Sequence, residues 1–144
     1  MLKGIPSILT PELLKVLMEM GHGDELVLAD GNYPRMGHPE RVIRCDGHGI
    51  PEILDAIMRF MPLDEYVDHP AILMAVVPGD DYVPVIWDEY RKVIAKYEPD
   101  GARDTAIQRG EFYPRAANAY AVVTTGETAL YANIILKKGV IKGE

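Results

Sequence analysis

The sequence predicts a single α/β domain, residues 1–144, with a central mixed β-sheet covered by helices. Three observations predict it. With 144 residues, 48% apolar and 26% charged, the chain has the size and balance of one globular unit that buries a core without staples. Short apolar runs of strand length alternate with longer stretches of helical spacing, as helices covering a sheet require. No repeat, linker or low-complexity segment interrupts that alternation.

The elements follow in order. "TPELLKVLMEMG" reads as a helix: Thr10 caps it, Pro11 suits the first turn, and Leu13, Leu14, Leu17, Met18 and Met20 recur near helical spacing. Gly21 reads as its stop. "ELVLAD" is a strand closed by the turn-rich "DGNYP". "RVIRC" is a second strand, and "PEILDAIMRFM" a second helix behind Pro51. "PAILMAVV", closed by "PGDD", fits a strand buried on both faces. "VPVIWDEYRKVIAKYEP" is a third helix whose apolar face includes Trp87, Tyr90 and Tyr97. That aromatic stripe reads as core or subunit contact rather than a cofactor box. "EFYPRAANA" is a short fourth helix with Pro114 in its first turn, and "YAVVTTGE" and "YANIILKKG" are closing strands. "TGETAL" between those two strands reads as a hairpin turn, and such a hairpin would make the sheet mixed.

Composition removes several partners. Net charge is −7 with no Lys/Arg block, so a nucleic acid has no electrostatic footprint to meet. "LKKGVIK" reads as a solvated basic tail. The longest apolar run, "AILMAVV", is too short to span a bilayer. Cys45 is the single cysteine and reads as a buried small hydrophobe. With no internal disulfide possible and no secretory pattern at the N-terminus, a reducing, cytoplasmic location is expected.

Two residues invite chemistry. His22 stands between Gly21 and Gly23 where a helix runs out, with Asp24 close by. The helix end and the carboxylate would both favour an imidazolium, as general acid–base catalysis needs. The plainer reading is a helix stop carrying a solvated histidine. Asp30 sits at a strand end, where α/β sheets collect ligands and a carboxylate can accept from two hydroxyls. The plainer reading there is that Asp30 opens the "DGN" turn through its own backbone. A metal site is disfavoured, because His22, His38, His48 and His69 form none of the short paired spacings that put two ligands on one metal. Phosphate loops, nucleophile elbows and C-x-x-C pairs are absent from the sequence.

"LLKVLMEMGHGDELVLADGNYP", "EFYPRA", "AYAVVTTGE" and "LYANIILKKGV", in that order, resemble the L-fucose mutarotase / D-ribose pyranase family, nearer its fucose branch. The resemblance implies an isomerase that interconverts sugar anomers without metal or cofactor. By matched positions, His22 would be catalytic, and Asp30, Arg109, Tyr131, Ala132 and Asn133 would bind the sugar. It also implies a homo-oligomer, typically a decamer in bacteria, with sites shared between subunits. Ring opening needs a base at the anomeric hydroxyl and an acid at the ring oxygen. His22 would serve one oxygen; the other partner could be Tyr131, Asp24 or a held water. Tyr33, Met36 and Tyr113 are candidates for an apolar wall against the fucose methyl group. The competing expectations are a non-catalytic monosaccharide-binding or regulatory oligomer, an assembly subunit, and a metal hydrolase.

Overall fold

The computed structural model describes residues 1–143. Its elements are α1 (Pro11–Glu19), β1 (Glu25–Ala29), β2 (Arg41–Cys45), α2 (Ile50–Met58), β3 (Ala71–Met74), α3 (Ile86–Ala95), β4 (Asp104–Ile107), α4 (Arg109–Ala117), β5 (Ala121–Thr125) and β6 (Ile134–Lys137). The strands form one mixed sheet of order β2-β5-β1-β6-β3-β4. β6 runs antiparallel to both its neighbours, β1 and β3; the other pairings are parallel.

Alternation along β1 explains the layering. Leu26 and Leu28 point into a core shared with Leu13, Leu17, Ile53, Ile57, Tyr90 and Ile94 of α1, α2 and α3. Val27 and Ala29 point the other way, onto Phe112 and Ala116 of α4. With both faces covered, β1, β3 and β5 must be apolar throughout, and each is fully buried over its strand except at Glu25.

α1 starts as its sequence requires. Thr10 Oγ1 accepts from Leu13 N at 3.1 Å and Pro11 takes the first position. It stops differently. Met20 caps the helix in an extended conformation, and Gly23, at φ +86°, supplies the left-handed residue. Lys138 Nζ donates to the carbonyls of Leu17 and Met20, so a lysine from the far end of the chain satisfies the helix terminus.

The expected hairpin is absent. β1 lies between β5 and β6, so "TGETAL" belongs to a connection that passes over the end of β1. Gly31 N donates to Glu127 O and Gly126 N to His48 O along that path. Gly126 answers to close approach: a Cβ there would meet Asp46 O at 2.2 Å. A glycine-containing turn signals a reversal of direction but does not name the neighbouring strand. The sheet is mixed through β6 alone. β4 is an addition to the predicted elements: "DTAI" is a short, partly exposed edge strand with no apolar run to signal it. α4 begins two residues earlier than expected, which moves Pro114 from the first turn to the second and removes an N–H that would bond Gly110.

Candidate active site

At the carboxyl ends of the parallel strands, where β6 begins, lies a pocket of about 280 Å³ lined by Asp30, Asn32, Met74, Asp80, Arg109, Tyr113, Tyr131 and Asn133 among others. The topology dictates this placing: β1, β3 and β4 end here, and the reversed β6 starts here. A larger hollow between the N-terminal segment, α1 and Phe60 is lined almost wholly by apolar side chains and offers little to orient a polar ligand.

The pocket's polar groups are built in. Asn133, 4% exposed, accepts from Asp30 N through Oδ1 at 2.7 Å. That bond fixes the amide and turns its NH₂ donors away from Asp30 N. Asp30 Oδ1 accepts from Asn32 N at 3.0 Å, so the turn role expected of it is real, and it leaves the second oxygen facing the pocket rather than excluding a further contact. Burial pushes the Asp30 carboxyl above its ordinary value, partly offset by the Asn32 bond, with Glu127 adding to the rise. Arg109 opens α4 at the pocket's edge.

The stretch Tyr131-Ala132-Asn133 is clamped by α3. Trp87 Nε1 donates to Tyr131 O at 2.7 Å, and the Tyr90 hydroxyl to Ala132 O at 2.8 Å. Tyr131 stands at φ +56°, a conformation a bulky residue keeps only where its surroundings impose it. Of the aromatic stripe, Tyr90 and Trp87 pack in the core as expected, whereas Tyr97 is exposed and its hydroxyl donates to Asp55 Oδ1. The polar tips of Trp87 and Tyr90 also set the backbone of the pocket.

His22 lies elsewhere. It precedes β1 while Asp30 follows it, and a five-residue strand at 3.3–3.4 Å per residue separates them by roughly 15 Å or more. Its Nε2 is 3.0 Å from Asp64 Oδ1, with His22 45% and Asp64 3% exposed at the side chain. An ionised carboxylate only accepts, so Nε2 carries the hydrogen and Nδ1 is the nitrogen left to exchange a proton. Asp64 is braced in turn: Oδ1 also accepts from Tyr66 N, and its own N donates to Lys137 O. Burial works to raise the Asp64 carboxyl, but the bonds from Tyr66 N and His22 and the charges of His22 and Lys137 outweigh it, holding it below its ordinary range. Asp24 accepts from Gly21 N at 2.7 Å, closing the turn that carries His22.

The remaining candidates scatter. Tyr113 lines the pocket; Met36 lines an adjoining hollow with Arg109 and Pro114; Tyr33 packs edge-on behind Tyr113 and donates to Gly37 O. Cys45 is buried, and burial raises its thiol. Among the described residues no three His, Cys, Asp or Glu side chains are grouped to hold a metal ion.

Comparison with known proteins bears on what this arrangement is for. Residues 3–141 match the RbsD / FucU transport protein family. The chain belongs to that family. A protein named fucose mutarotase from Danio rerio is 53% identical over 152 residues, covering 99% of this chain and 96% of its own. The crystal structure of the fucose mutarotase from Streptococcus pneumoniae in complex with L-fucose is 55% identical, with a TM-score of 0.90, and covers 98% of this chain and 100% of its own. That of FucU from Bifidobacterium longum is 53% identical, with a TM-score of 0.93, and covers 97% and 100%.

In this RbsD / FucU chain, sequence reasoning missed Asp64, Asp80, Trp87 and Tyr90. Asp64 and Asp80 are distant in sequence from the residues they hold and sit in loops, where carboxylates are common. A buried tyrosine's need for a hydroxyl partner was the one signal available for Tyr90.

Proposed function

We propose that this chain is an L-fucose mutarotase, interconverting the α and β anomers of L-fucose by acid–base ring opening and closure without a cofactor. The observation that carries the reading is the likeness, over nearly the whole of both chains, to a fucose mutarotase solved with L-fucose. The pocket's chemistry agrees with it. A free Asp30 oxygen, the Arg109 guanidinium, the Asn133 amide and the Tyr131 hydroxyl suit a small polyol, and Met74 and Tyr113 offer apolar surface to a methyl group.

In the reaction, one group takes the anomeric hydroxyl proton as C1=O1 forms, and another protonates the ring oxygen as C1–O5 breaks. Closure on the other face of the aldehyde reverses both transfers. His22 exchanges its proton through Nδ1 while Asp64 holds Nε2 and stabilises the imidazolium. Positioned acid–base catalysis of this kind supplies on the order of 10²–10⁴-fold, and a fixed geometry adds to it.

His22 and the pocket of its own chain are too far apart to act on one sugar. The site is therefore assembled between copies, His22 of one subunit facing the pocket of another, in a homo-oligomer of the decameric kind the family resemblance implies. D-ribose is a second substrate to test, and the cytoplasm the proposed location.

The test is exchange NMR on the anomeric protons of L-fucose, with D-ribose in parallel. Wild type should accelerate fucose exchange and His22→Ala should abolish the acceleration. Full activity in His22→Ala would remove the catalytic assignment. Folded wild type that binds fucose without accelerating exchange would favour a binding protein.

A further inference from the structure

The connection between β3 and α3, residues 75–85, sends one side chain into the pocket that nothing above assigns. The Tyr131 hydroxyl donates to Asp80 Oδ2 at 2.6 Å and accepts from Val77 N at 3.3 Å. Asp80 Oδ1 accepts from Tyr82 N at 2.9 Å, and the Tyr82 ring lies against that of Tyr131 with centroids 5.8 Å apart. Trp87 holds the same residue's carbonyl from the other side. The strained backbone of Tyr131 is thus fixed by four separate contacts.

A phenolic hydroxyl has one proton and two acceptor positions. Here Asp80 takes the proton and Val77 N occupies one acceptor position. A single lone pair is left for whatever enters the pocket. We propose that Asp80 is a positioning residue that turns the Tyr131 hydroxyl into a one-way acceptor, able to receive a hydrogen bond from one sugar hydroxyl but not to donate one. The inference rests on the monosaccharide reading of the pocket. Its consequence is selectivity at that position: a free hydroxyl fits, and an ether or carbonyl oxygen, which cannot donate, does not. The bond to Tyr131 also holds the Asp80 carboxyl below its ordinary range, and the same bond raises the Tyr131 phenol, so the proton's place between them is stable near neutral pH.

The experiment compares wild type, Asp80→Ala, Asp80→Asn, Tyr131→Phe and the double variant Asp80→Ala/Tyr131→Phe. L-fucose exchange gives KM and kcat, and saturation-transfer difference NMR with L-fucose and D-ribose gives dissociation constants. Asp80→Ala and Tyr131→Phe should each weaken the sugar about tenfold, mostly in KM, as expected for losing one hydrogen bond in this network. The double variant should be no worse than Tyr131→Phe, because Asp80 acts through that hydroxyl. Asp80→Asn, whose amide oxygen can still accept the proton, should recover part of the loss. An equal further loss from Asp80→Ala in the Tyr131→Phe background would overturn the proposal, as would an unchanged KM in Asp80→Ala. If wild type does not accelerate fucose exchange, the mutarotase reading falls by itself. The coupling between the two residues is then read from the dissociation constants, where independence of the two substitutions overturns the proposal. Absence of binding to either sugar overturns both.

Discussion

Asp64→Asn isolates the part of the His22 pair that depends on charge. Both hydrogen bonds to the Asp64 side chain, from His22 Nε2 and from Tyr66 N, end on the same oxygen, Oδ1. An asparagine that keeps its oxygen there preserves both contacts and loses only the negative charge. A hydrogen bond to a charged group contributes about 1.5–3 kcal/mol. His22 is nearly half exposed, so solvent screening reduces this to roughly 1–2 kcal/mol, or about a 5- to 30-fold fall in rate. If His22 transfers the proton as proposed, the carboxylate acts on the charge that forms during the transfer, so the loss should appear in kcat with KM nearly unchanged. Anomeric exchange of L-fucose, followed by NMR over a concentration series, measures both. Full kcat in Asp64→Asn, or a loss confined to KM, would refute the reasoning. A pH effect follows as well. The Asp64 carboxyl is held below its ordinary value of 3.8 in the folded chain. Its contribution to stability is therefore present above that value and lost as pH falls through the lower folded one. Below about pH 4, the denaturation midpoint of wild type should drop more steeply than that of Asp64→Asn.

Three further substitutions test the supports of the pocket and of the His22 turn. Tyr90→Phe strips the donor from the buried Ala132 carbonyl; with Tyr90 only 1% exposed, this should cost about 1–2 kcal/mol, or about 3–8 °C in Tm, and raise KM through the loosened Tyr131–Asn133 stretch. Calorimetry showing no change in Tm would deny the bond its role. Gly23→Ala should lose about 1–2 kcal/mol, because a residue with a Cβ is strained in the left-handed region, although the nearest side-chain atom would stand 4.0 Å away. Gly21→Ala, without a positive φ and with its nearest contact at 3.7 Å, should be close to neutral. Equal urea midpoints for the two alanine variants would contradict the backbone argument.

Much of the fold was legible because the apolar runs had to be. A strand covered by helices on both faces cannot hide its composition, so β1, β3 and β5 announced themselves, as did the capped start of α1. β4 did not, because an edge strand with partly exposed residues carries no such signal. The misplaced hairpin has a different cause. Local turn chemistry is written in the six residues of "TGETAL", whereas the insertion of β1 between β5 and β6 is decided by packing between segments about a hundred residues apart. The site divided in the same way. Asp30 at a strand end and the bare backbone around His22 stand out locally. Asn133 is named in the sequence only through the family resemblance, and that it holds Asp30 N, that Asp64 holds His22 and that Asp80 holds Tyr131 becomes visible only when distant segments meet. Asp24, the nearest carboxylate to His22 in sequence, is engaged with Gly21 N, and the helix end expected to favour the imidazolium is occupied by Lys138.

The reversed strand β6 gives the chain a property of its own. It begins beside Asn133 at the pocket and ends beside Lys138, whose carbonyl accepts from Gly23 N next to His22. β1 makes the same journey the other way, registered against it from Glu25↔Lys137 to Leu28↔Ile134. One short ladder therefore sets the distance between the His22 end and the pocket end of the chain, the acid–base end and the cradle end of the proposed reaction. In an assembly with shared sites, each subunit is a donor to one neighbour and a host to another. A copy that unfolds then silences two reactions rather than one, and a copy lacking only its histidine still lends its cradle to a competent neighbour.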